Sequence, residues 1–209
     1  MSRILIAAGL ALALSGCASL IADATGPEPI GSEQGKRTLS MRIEDSAIER
    51  TASINLYKSN PRFREANVNI ISFYGSVLLA GQVSDEAMKA QAEKIVYDIA
   101  EVKRIHNELT VGPASYYLER SSDGFISTQI RAKLTVQEGF PSSRTKVFTV
   151  GGTVYLMGKL TPAEADMAVD YIKQVSGVKR IVKLVDYLPA PATPAAAPST
   201  PAPAATPAP

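Results

Sequence analysis

Residues 75–81 read GSVLLAG, and residues 152–158 read GTVYLMG. The two stretches share the frame Gly-[Ser/Thr]-Val-x-Leu-x-Gly at a separation of 77 residues. Two further anchors recur in the same order, at separations of 76 and 78 residues: VKRI at 102–105 returns at 178–181, and Asp45, Ile48 and Leu56 return as Asp123, Ile126 and Leu134. Because a repeat at a nearly fixed period marks a duplicated structural unit, the sequence predicts one unit present twice.

The first element of each copy is predicted to be an amphipathic helix, at about 45–57 and about 123–136. In the second copy Asp123 is the predicted N-cap, because a capping side chain directly before an apolar periodic run is a helix start signal. Three apolar residues of that run are spaced at i, i+4 and i+8 and so share one helical face: Ile126, Ile130 and Leu134.

Two strands joined by a tight turn follow in each copy. Their predicted bounds are Val68–Tyr74 with Val77–Val83, and Thr145–Val150 with Val154–Leu160. In the second copy the turn is Gly151-Gly152, which suits a two-residue hairpin with positive φ. A second helix is predicted next, at about 85–100 and 162–175, and a last strand at 102–111 and 178–187. The order is therefore αββαβ, twice.

The second helix has a strong start signal in one copy and a weak one in the other. Thr161, Pro162 and Glu164 have the pattern of a capping box with proline at the first helical position. In the first copy the signal is only Ser84 with Ala87.

Composition excludes several classes of active site. The chain has 209 residues, with one cysteine, Cys17, and one histidine, His106. A single cysteine cannot form an intrachain disulfide or a cysteine-rich zinc site, and a catalytic Ser-His or Cys-His pair has only His106 to use. Composition therefore argues against classical nucleophilic and zinc-dependent catalysis, and we predict no catalytic residues, metal or cofactor. A balance of 22 basic to 20 acidic residues gives no support to nucleic-acid binding.

The N-terminus is predicted to be a signal peptide at residues 1–16. Arg3 precedes an apolar run that is too short to span a bilayer as a helix. The run ends in Leu-Ser-Gly-Cys, which resembles the lipobox of bacterial lipoproteins and implies cleavage before Cys17, followed by acylation with fatty acids such as palmitate. Two or more acyl chains anchor a protein stably. The alternative is a plain secretory signal with an incidental cysteine.

The residue after Cys17 indicates whether a bacterial lipoprotein stays in the inner membrane or is exported to the outer membrane. In Gram-negative lipoproteins an aspartate there favours retention at the inner membrane. This chain has Ala18 instead, followed by Ser19. The resemblance therefore implies an anchor in the outer membrane, with the protein facing the periplasm.

Segments rich in turn-forming residues or proline divide the chain. Residues 17–44 are the predicted lipid-anchored tether, and residues 113–122 are the predicted linker between a first unit, 45–112, and a second unit, 123–188. The tail, residues 189–209, has eight prolines and no charged or aromatic residue, which predicts polyproline II without a core of its own.

The repeated unit resembles the BON domain, an αββαβ module with a Gly-x-Val-x-Leu-x-Gly hairpin strand and a later Val-Lys-x-Ile. Both copies have this pattern. The resemblance implies an α+β fold of two tandem BON domains, each with two helices packed on a three-stranded mixed sheet. A lipobox followed by two such domains is similar to the dual-BON outer-membrane lipoproteins, which are non-enzymatic. The proline-rich tail departs from that pattern.

The same resemblance implies that the first helix of the second domain binds anionic phospholipid, chiefly phosphatidylglycerol, in support of outer-membrane integrity. Charge agrees: residues 122–188 have nine basic and six acidic residues, whereas residues 46–112 have eight of each. An aromatic ring beside two cations also suits a bilayer interface. The residues predicted to contact lipid are Phe125, Thr128, Gln129, Arg131, Ala132 and Lys133.

Two alternatives stay open at this point. In the first, Phe125 packs against a neighbouring loop or the first domain, and Arg131 and Lys133 are only a solvated face. In the second, the protein is an envelope scaffold for β-barrel assembly, cell-wall or division proteins, and binds them through the tail or a strand edge.

Overall fold

The computed structural model describes residues 37–115 and 117–189, which fall into two compact units divided between Arg120 and Ser121. The elements of the first unit are α1 (Leu39–Ser59), β1 (Asn67–Phe73), β2 (Ser76–Val83), α2 (Glu86–Tyr97) and β3 (Arg104–Val111). Those of the second are α3 (Tyr117–Val136), whose first four residues precede that division, β4 (Thr145–Val150), β5 (Thr153–Leu160), α4 (Pro162–Lys173) and β6 (Arg180–Tyr187). Each unit thus has the predicted order αββαβ.

Each unit has one three-stranded sheet, with its strands in sequence order from edge to edge. The first strand pairs antiparallel with the second through a tight turn, and the second pairs parallel with the third. A helix joins the parallel pair, since a two-residue turn can connect only antiparallel neighbours. The predicted α+β class, with two helices and a three-stranded mixed sheet in each copy, is confirmed.

The core of each unit lies between the helices and the sheet. Side chains alternate between the two faces of a strand, so every second residue of the central strand contributes: Val77 and Leu79 in β2, Val154 and Leu156 in β5. The first helix contributes residues spaced by about one turn: Ile48, Ala52 and Leu56 in α1, Ile126, Ile130 and Leu134 in α3. Full burial of one leucine or isoleucine stabilises the fold by about 1.5–3 kcal/mol.

A buried aspartate joins the first helix of each unit to the hairpin turn of its sheet. Asp123, on α3, accepts hydrogen bonds from the backbone N–H groups of Gly151 (2.8 Å) and Gly152 (2.9 Å). Asp45, on α1, accepts in the same way from the turn Tyr74–Gly75, at 3.1 and 3.0 Å. The two central amides of such a turn have no partner in the strand ladder, so the carboxylate supplies the acceptors that they need.

The predicted N-cap at Asp123 is therefore wrong. α3 begins at Tyr117, so Asp123 lies inside the helix and faces the sheet, where it is only 6% exposed. α1 likewise begins earlier than predicted, at Leu39. Helix thus occupies the end of the predicted tether, 17–44, and the end of the predicted linker, 113–122, because both helices extend N-terminally from the aspartate that fixes them.

The first and the last position of the repeated frame need glycine for different structural reasons. Gly75 and Gly152, at the start of the frame, have φ values of 76° and 77°, the left-handed conformation that a two-residue turn requires. Gly81, at the other end of the frame in the first unit, lies against the neighbouring strand. A Cβ atom there would come within 1.8 Å of the carbonyl oxygen of Asn67. One glycine is needed for the turn and the other for the close approach of two strands.

The second helices begin with side-chain caps. In α4 the predicted capping box is confirmed: the Thr161 hydroxyl accepts the Glu164 N–H (3.3 Å), and the Glu164 carboxylate accepts the Thr161 N–H (2.8 Å). In α2 the cap is Asp85 rather than Ser84, the residue that the sequence indicated.

Asp85 has two partners that stabilise its charged form. Its carboxylate accepts the backbone N–H of Met88 at 2.8 Å and pairs with the Arg62 guanidinium at 2.7 Å. The hydrogen bond from Met88, and then those from Arg62, hold the pKa of Asp85 below its ordinary value of 3.8.

We expect Asp123→Ala to destabilise the second unit. The substitution removes the acceptor from the amides of Gly151 and Gly152, which then have no partner inside the protein. One such buried donor costs about 1–3 kcal/mol, so the free energy of unfolding should fall by about 2 kcal/mol or more. Urea unfolding followed by circular dichroism measures the change.

The matched control is Asp170→Ala, since the Asp170 side chain is 73% exposed and meets Lys173 at the surface. That variant should change the free energy of unfolding by less than about 0.5 kcal/mol. Equal stability of Asp123→Ala and the control would mean that the carboxylate does not hold α3 to the turn.

A second prediction concerns how the stability that Asp85 provides depends on pH. A carboxyl whose pKa is lower in the folded state stabilises the fold above its ordinary pKa, and the contribution is lost as the pH falls through the folded value. Asparagine at position 85 can still cap the helix but does not titrate. The urea midpoint of Asp85→Asn should therefore differ most from wild type at neutral pH. The difference should shrink as the pH falls below 3.8; a constant difference would contradict the prediction.

Candidate functional site

α3 is apolar on two opposite sides. Its inner side packs Ile126, Ile130 and Leu134 into the core, and each is nearly fully buried. On its outer side Leu118, Phe125 and Val136 are 80%, 65% and 83% exposed. A helix in water usually keeps its outward side polar, so three exposed apolar residues on one side mark this surface as a candidate contact.

The three exposed residues lie in one line. At about 100° per residue, the spacings of seven and eighteen residues bring Leu118, Phe125 and Val136 within roughly 20° of each other around the helix. The line is about 27 Å long at a rise of about 1.5 Å per residue. We call these three residues the outer stripe of α3.

The six residues predicted to contact lipid all lie outside the core. Phe125, Thr128, Arg131 and Ala132 are exposed, and Gln129 and Lys133 are partly exposed. In the alternative, Phe125 is enclosed by neighbouring protein; its 65% exposure is against that reading. What these side chains bind stays a prediction.

Arg131 is held toward the outer stripe by a short chain of hydrogen bonds. Its guanidinium donates to the Thr128 hydroxyl at 3.3 Å, and that hydroxyl donates to the carbonyl of Gly124 at 2.9 Å. Thr128 lies closer to the stripe than Arg131 does around the helix, so the contact brings the cation to the edge of the apolar surface. Lys133 lies on the other side of the stripe.

The cations of this surface are not neutralised by carboxylates. Among the residues that the structure describes, neither Arg131 nor Lys133 takes part in an ion pair. The one carboxylate in the middle of the helix, Asp123, faces inward and is used by the hairpin turn. The outward side of α3 from residue 120 to residue 137 therefore has apolar, uncharged polar and basic side chains but no carboxylate.

A small cavity opens beside Arg131. It has a volume of about 200 Å³, room for several water-sized groups. Hydroxyl groups line much of it, and its residues come from the end of α3, the following loop and β4: Arg131, Leu134, Thr135, Ser142, Ser143, Thr145 and Val147. One cation with four hydroxyl groups suits a small anionic or polyhydroxyl group.

Sequence reasoning missed two members of the outer stripe. Leu118 fell in the predicted linker, because the helix was expected to begin at residue 123. Val136 was the last predicted helical residue, and no pattern assigned it to a face. The spacing of eleven residues could have placed Val136 in line with Phe125, whereas Leu118 required a helix that begins about two turns earlier.

His106, the one histidine that could have served in catalysis, is a residue of the first sheet. His106 lies in β3, half-buried and opposite Leu78 of β2. Within residues 37–115 and 117–189, no histidine, cysteine, aspartate and glutamate side chains are grouped so that three could hold a metal ion. No helix in that part of the chain is both long enough and apolar enough to cross a bilayer.

Several predicted segments lie outside the described residues. They include the signal peptide at 1–16, the predicted lipidation site Cys17, most of the tether, and the tail beyond Pro189. The predictions made for them stay predictions.

Comparison with known proteins adds to this geometry. The sequence pattern of the BON domain matches residues 45–113 and 122–189. The chain is 30% identical to the outer membrane lipoprotein DolP of Haemophilus influenzae over 196 residues. The matched region covers 90% of this chain and 97% of the relative. It is 31% identical over 152 residues to a 21 kDa hemolysin of Actinobacillus pleuropneumoniae, which covers 73% of this chain and 78% of the relative.

Among solved structures, the chain is similar to CdsD, a structural protein of the type III secretion system of Chlamydia trachomatis. The similar region covers 70% of this chain and 64% of the CdsD chain. The sequence identity is 21% and the TM-score 0.27. A score this low bears on neither fold nor function.

Proposed function

Since the chain belongs to the BON domain family, with the domain present twice, we propose that it is a lipid-anchored protein of the outer membrane that binds anionic phospholipid through the outer side of α3. Its role in this proposal is non-enzymatic support of outer-membrane integrity, with the folded units facing the periplasm. The similarity to a protein named as an outer membrane lipoprotein, over 90% of this chain, supports the location.

The observation that carries the proposal is the outer stripe of α3 with its flanking cations. Leu118, Phe125 and Val136 are exposed in one line, and Arg131 and Lys133 lie at its sides. An interfacial helix needs this combination, because the apolar side chains enter the acyl boundary while the cations stay with the headgroups. Long basic side chains can do so without losing water, since their charged ends reach outward.

The expected affinity of this surface alone is weak. Each Lys or Arg near an anionic membrane contributes about 1 kcal/mol, and the three apolar side chains add a few kcal/mol when they leave water. Acylation of Cys17 would make such a site effective, because attachment to the membrane raises the local concentration of lipid around the whole chain. The proposed anchor and the proposed lipid surface therefore depend on each other.

The cavity beside Arg131 suggests why the headgroup would be phosphatidylglycerol. A phosphate next to Arg131 would form a charge-assisted hydrogen bond, and the glycerol hydroxyls would meet Ser142, Ser143 and Thr145. A headgroup ending in an ammonium would bring a second cation to this place instead. We therefore expect phosphatidylglycerol to be preferred over phosphatidylethanolamine.

Vesicle binding tests the lipid surface. We expect the chain from residue 17, with Cys17→Ser, to co-sediment with vesicles that contain phosphatidylglycerol and much less with phosphatidylcholine vesicles. Leu118→Ser with Phe125→Ser removes apolar contacts, and Arg131→Gln with Lys133→Gln removes two charges. Each pair should weaken binding by about tenfold or more, since about 1.4 kcal/mol is a factor of ten.

The matched control is Tyr97→Ser, because Tyr97 is 77% exposed but lies on α2. It should bind as the unsubstituted chain does. Wild-type affinity in both α3 variants would remove α3 from the site. Equal binding to charged and neutral vesicles would contradict the preference for anionic lipid, and a protein scaffold would then become the better proposal.

The anchor is tested by two substitutions next to each other. Cys17→Ser should move the protein from the membrane fraction to the soluble fraction of the periplasm, because no acyl chain is added. Ala18→Asp should leave it acylated but shift it from the outer to the inner membrane on a density gradient. Labelling with radioactive palmitate should distinguish the two variants. An unsubstituted chain that takes up no palmitate would contradict the anchor.

A further inference from the structure

The first unit has an exposed apolar surface of its own on α1. Four large side chains on its outer side are 72%, 62%, 45% and 44% exposed, in the order Leu39, Ile43, Ile54 and Tyr57. At about 100° per residue they lie within roughly 60° of one another around the helix. We call these four residues the outer stripe of α1.

The fold does not require this stripe. The inner positions of the two first helices correspond residue for residue, 78 positions apart, and all are buried. The outer positions do not correspond: where α1 has Ile43 and Ile54, α3 has Ser121 and Ala132. The same architecture thus forms with a polar and a small residue at these two positions, so the packing of the unit does not explain the apolar side chains there.

The charges on this side of α1 are of one sign. Arg50 lies within the stripe, and Arg42 is exposed beside it. The nearby carboxylates are directed to the sheet: Asp45 binds the hairpin turn, and Glu49 accepts the N–H of Ser72 at 2.8 Å. Glu44 is exposed but lies about 80° or more from every residue of the stripe around the helix, on the side away from Arg42. The outward side therefore combines apolar and basic side chains without a carboxylate, and it includes a tyrosine, the residue type that favours the membrane interface.

We infer that the outer side of α1 is a second contact with an anionic phospholipid surface, made by the first unit. This inference rests on the proposed function, because it takes the same lipid as the partner. Charge distinguishes this occupant from a second copy of the chain. A two-fold contact through the same stripe would bring Arg50 of one copy close to Arg50 of the other, whereas phosphate groups complement both arginines.

The position of α1 in the chain fits this contact. Leu39 follows the proposed lipid anchor, Cys17, by 22 residues, which span at most about 80 Å when fully extended. α1 is the first described element after the anchor, so this span alone limits its distance from the bilayer. A contact too weak for a free protein can therefore be occupied.

Vesicle binding of substituted chains tests the inference. The protein is the chain from residue 17 with Cys17→Ser, and the probe is vesicles of phosphatidylglycerol in phosphatidylcholine. Ile43→Ser with Ile54→Ser should weaken binding by about tenfold, and so should Arg42→Gln with Arg50→Gln, which leaves the apolar packing untouched. Tyr97→Ser is again the control with unchanged binding.

A fluorescent probe reports the contact directly. In the Cys17→Ser chain, Ser46→Cys introduces a single thiol on the outer side of α1, and Ala90→Cys introduces one on the exposed side of α2. An environment-sensitive dye at position 46 should shift to shorter wavelength when phosphatidylglycerol vesicles are added. The same dye at position 90 should not shift.

The outcomes separate this inference from the proposed function. If the α1 variants bind like wild type and the dye at position 46 does not respond, while the α3 variants lose binding, the inference is overturned and the proposed function stands. If the α1 variants lose binding and the α3 variants keep it, the site on α3 is wrong and the inference stands. A dimer in light scattering that Ile43→Ser with Ile54→Ser dissociates, without any change in vesicle binding, would assign the stripe to a second copy and overturn it.

Discussion

The structure of both units depends on a buried carboxylate that accepts the amides of a hairpin turn. Asp45 and Asp123 each hold the first helix of their unit against the sheet at the one point where two backbone N–H groups have no partner in the ladder. Because the aspartate fixes the rotation of the helix about its axis, it also decides which side chains enter the core. In α3 the set is Ile126, Ile130 and Leu134. The opposite side is thereby turned to solvent.

Because the aspartate fixes which side of each helix is exposed, the residues on that side can be interpreted as a contact surface. An apolar residue there stabilises nothing within its own unit, yet Phe125 on α3 and Ile43 on α1 are both more than half exposed. The cations beside them, Arg131 and Arg50, are arranged without a carboxylate on the same side. A bilayer surface offers acyl chains and phosphate together and so complements both features, whereas a neutral surface would complement only the first.

Most of the architecture could be predicted because its signals are local. The glycine frame fixed the turn and the strand pair, and the capping box at Thr161 placed the start of α4 to the residue. The starts of α1 and α3 could not be predicted in this way. Both helices extend by about six residues beyond the part that packs on the sheet, and that extension adds no residue to the core. Asp123 was misplaced for the same reason, since an aspartate near a helix start is an N-cap in most local contexts.

The sequence by itself determined that one αββαβ unit is present twice, because turn chemistry, strand alternation and repeat spacing act over a few residues. It also determined that Phe125, Arg131 and Lys133 belong to one helix. The spacing of Ile126, Ile130 and Leu134 also indicated the inner side of that helix. Only the tertiary structure decided where the helix begins and that Leu118 joins Phe125 and Val136 on its outer side. The physical reason is that the hydrogen bonds of the buried Asp123 to a turn 28 residues away fix the helix against the sheet.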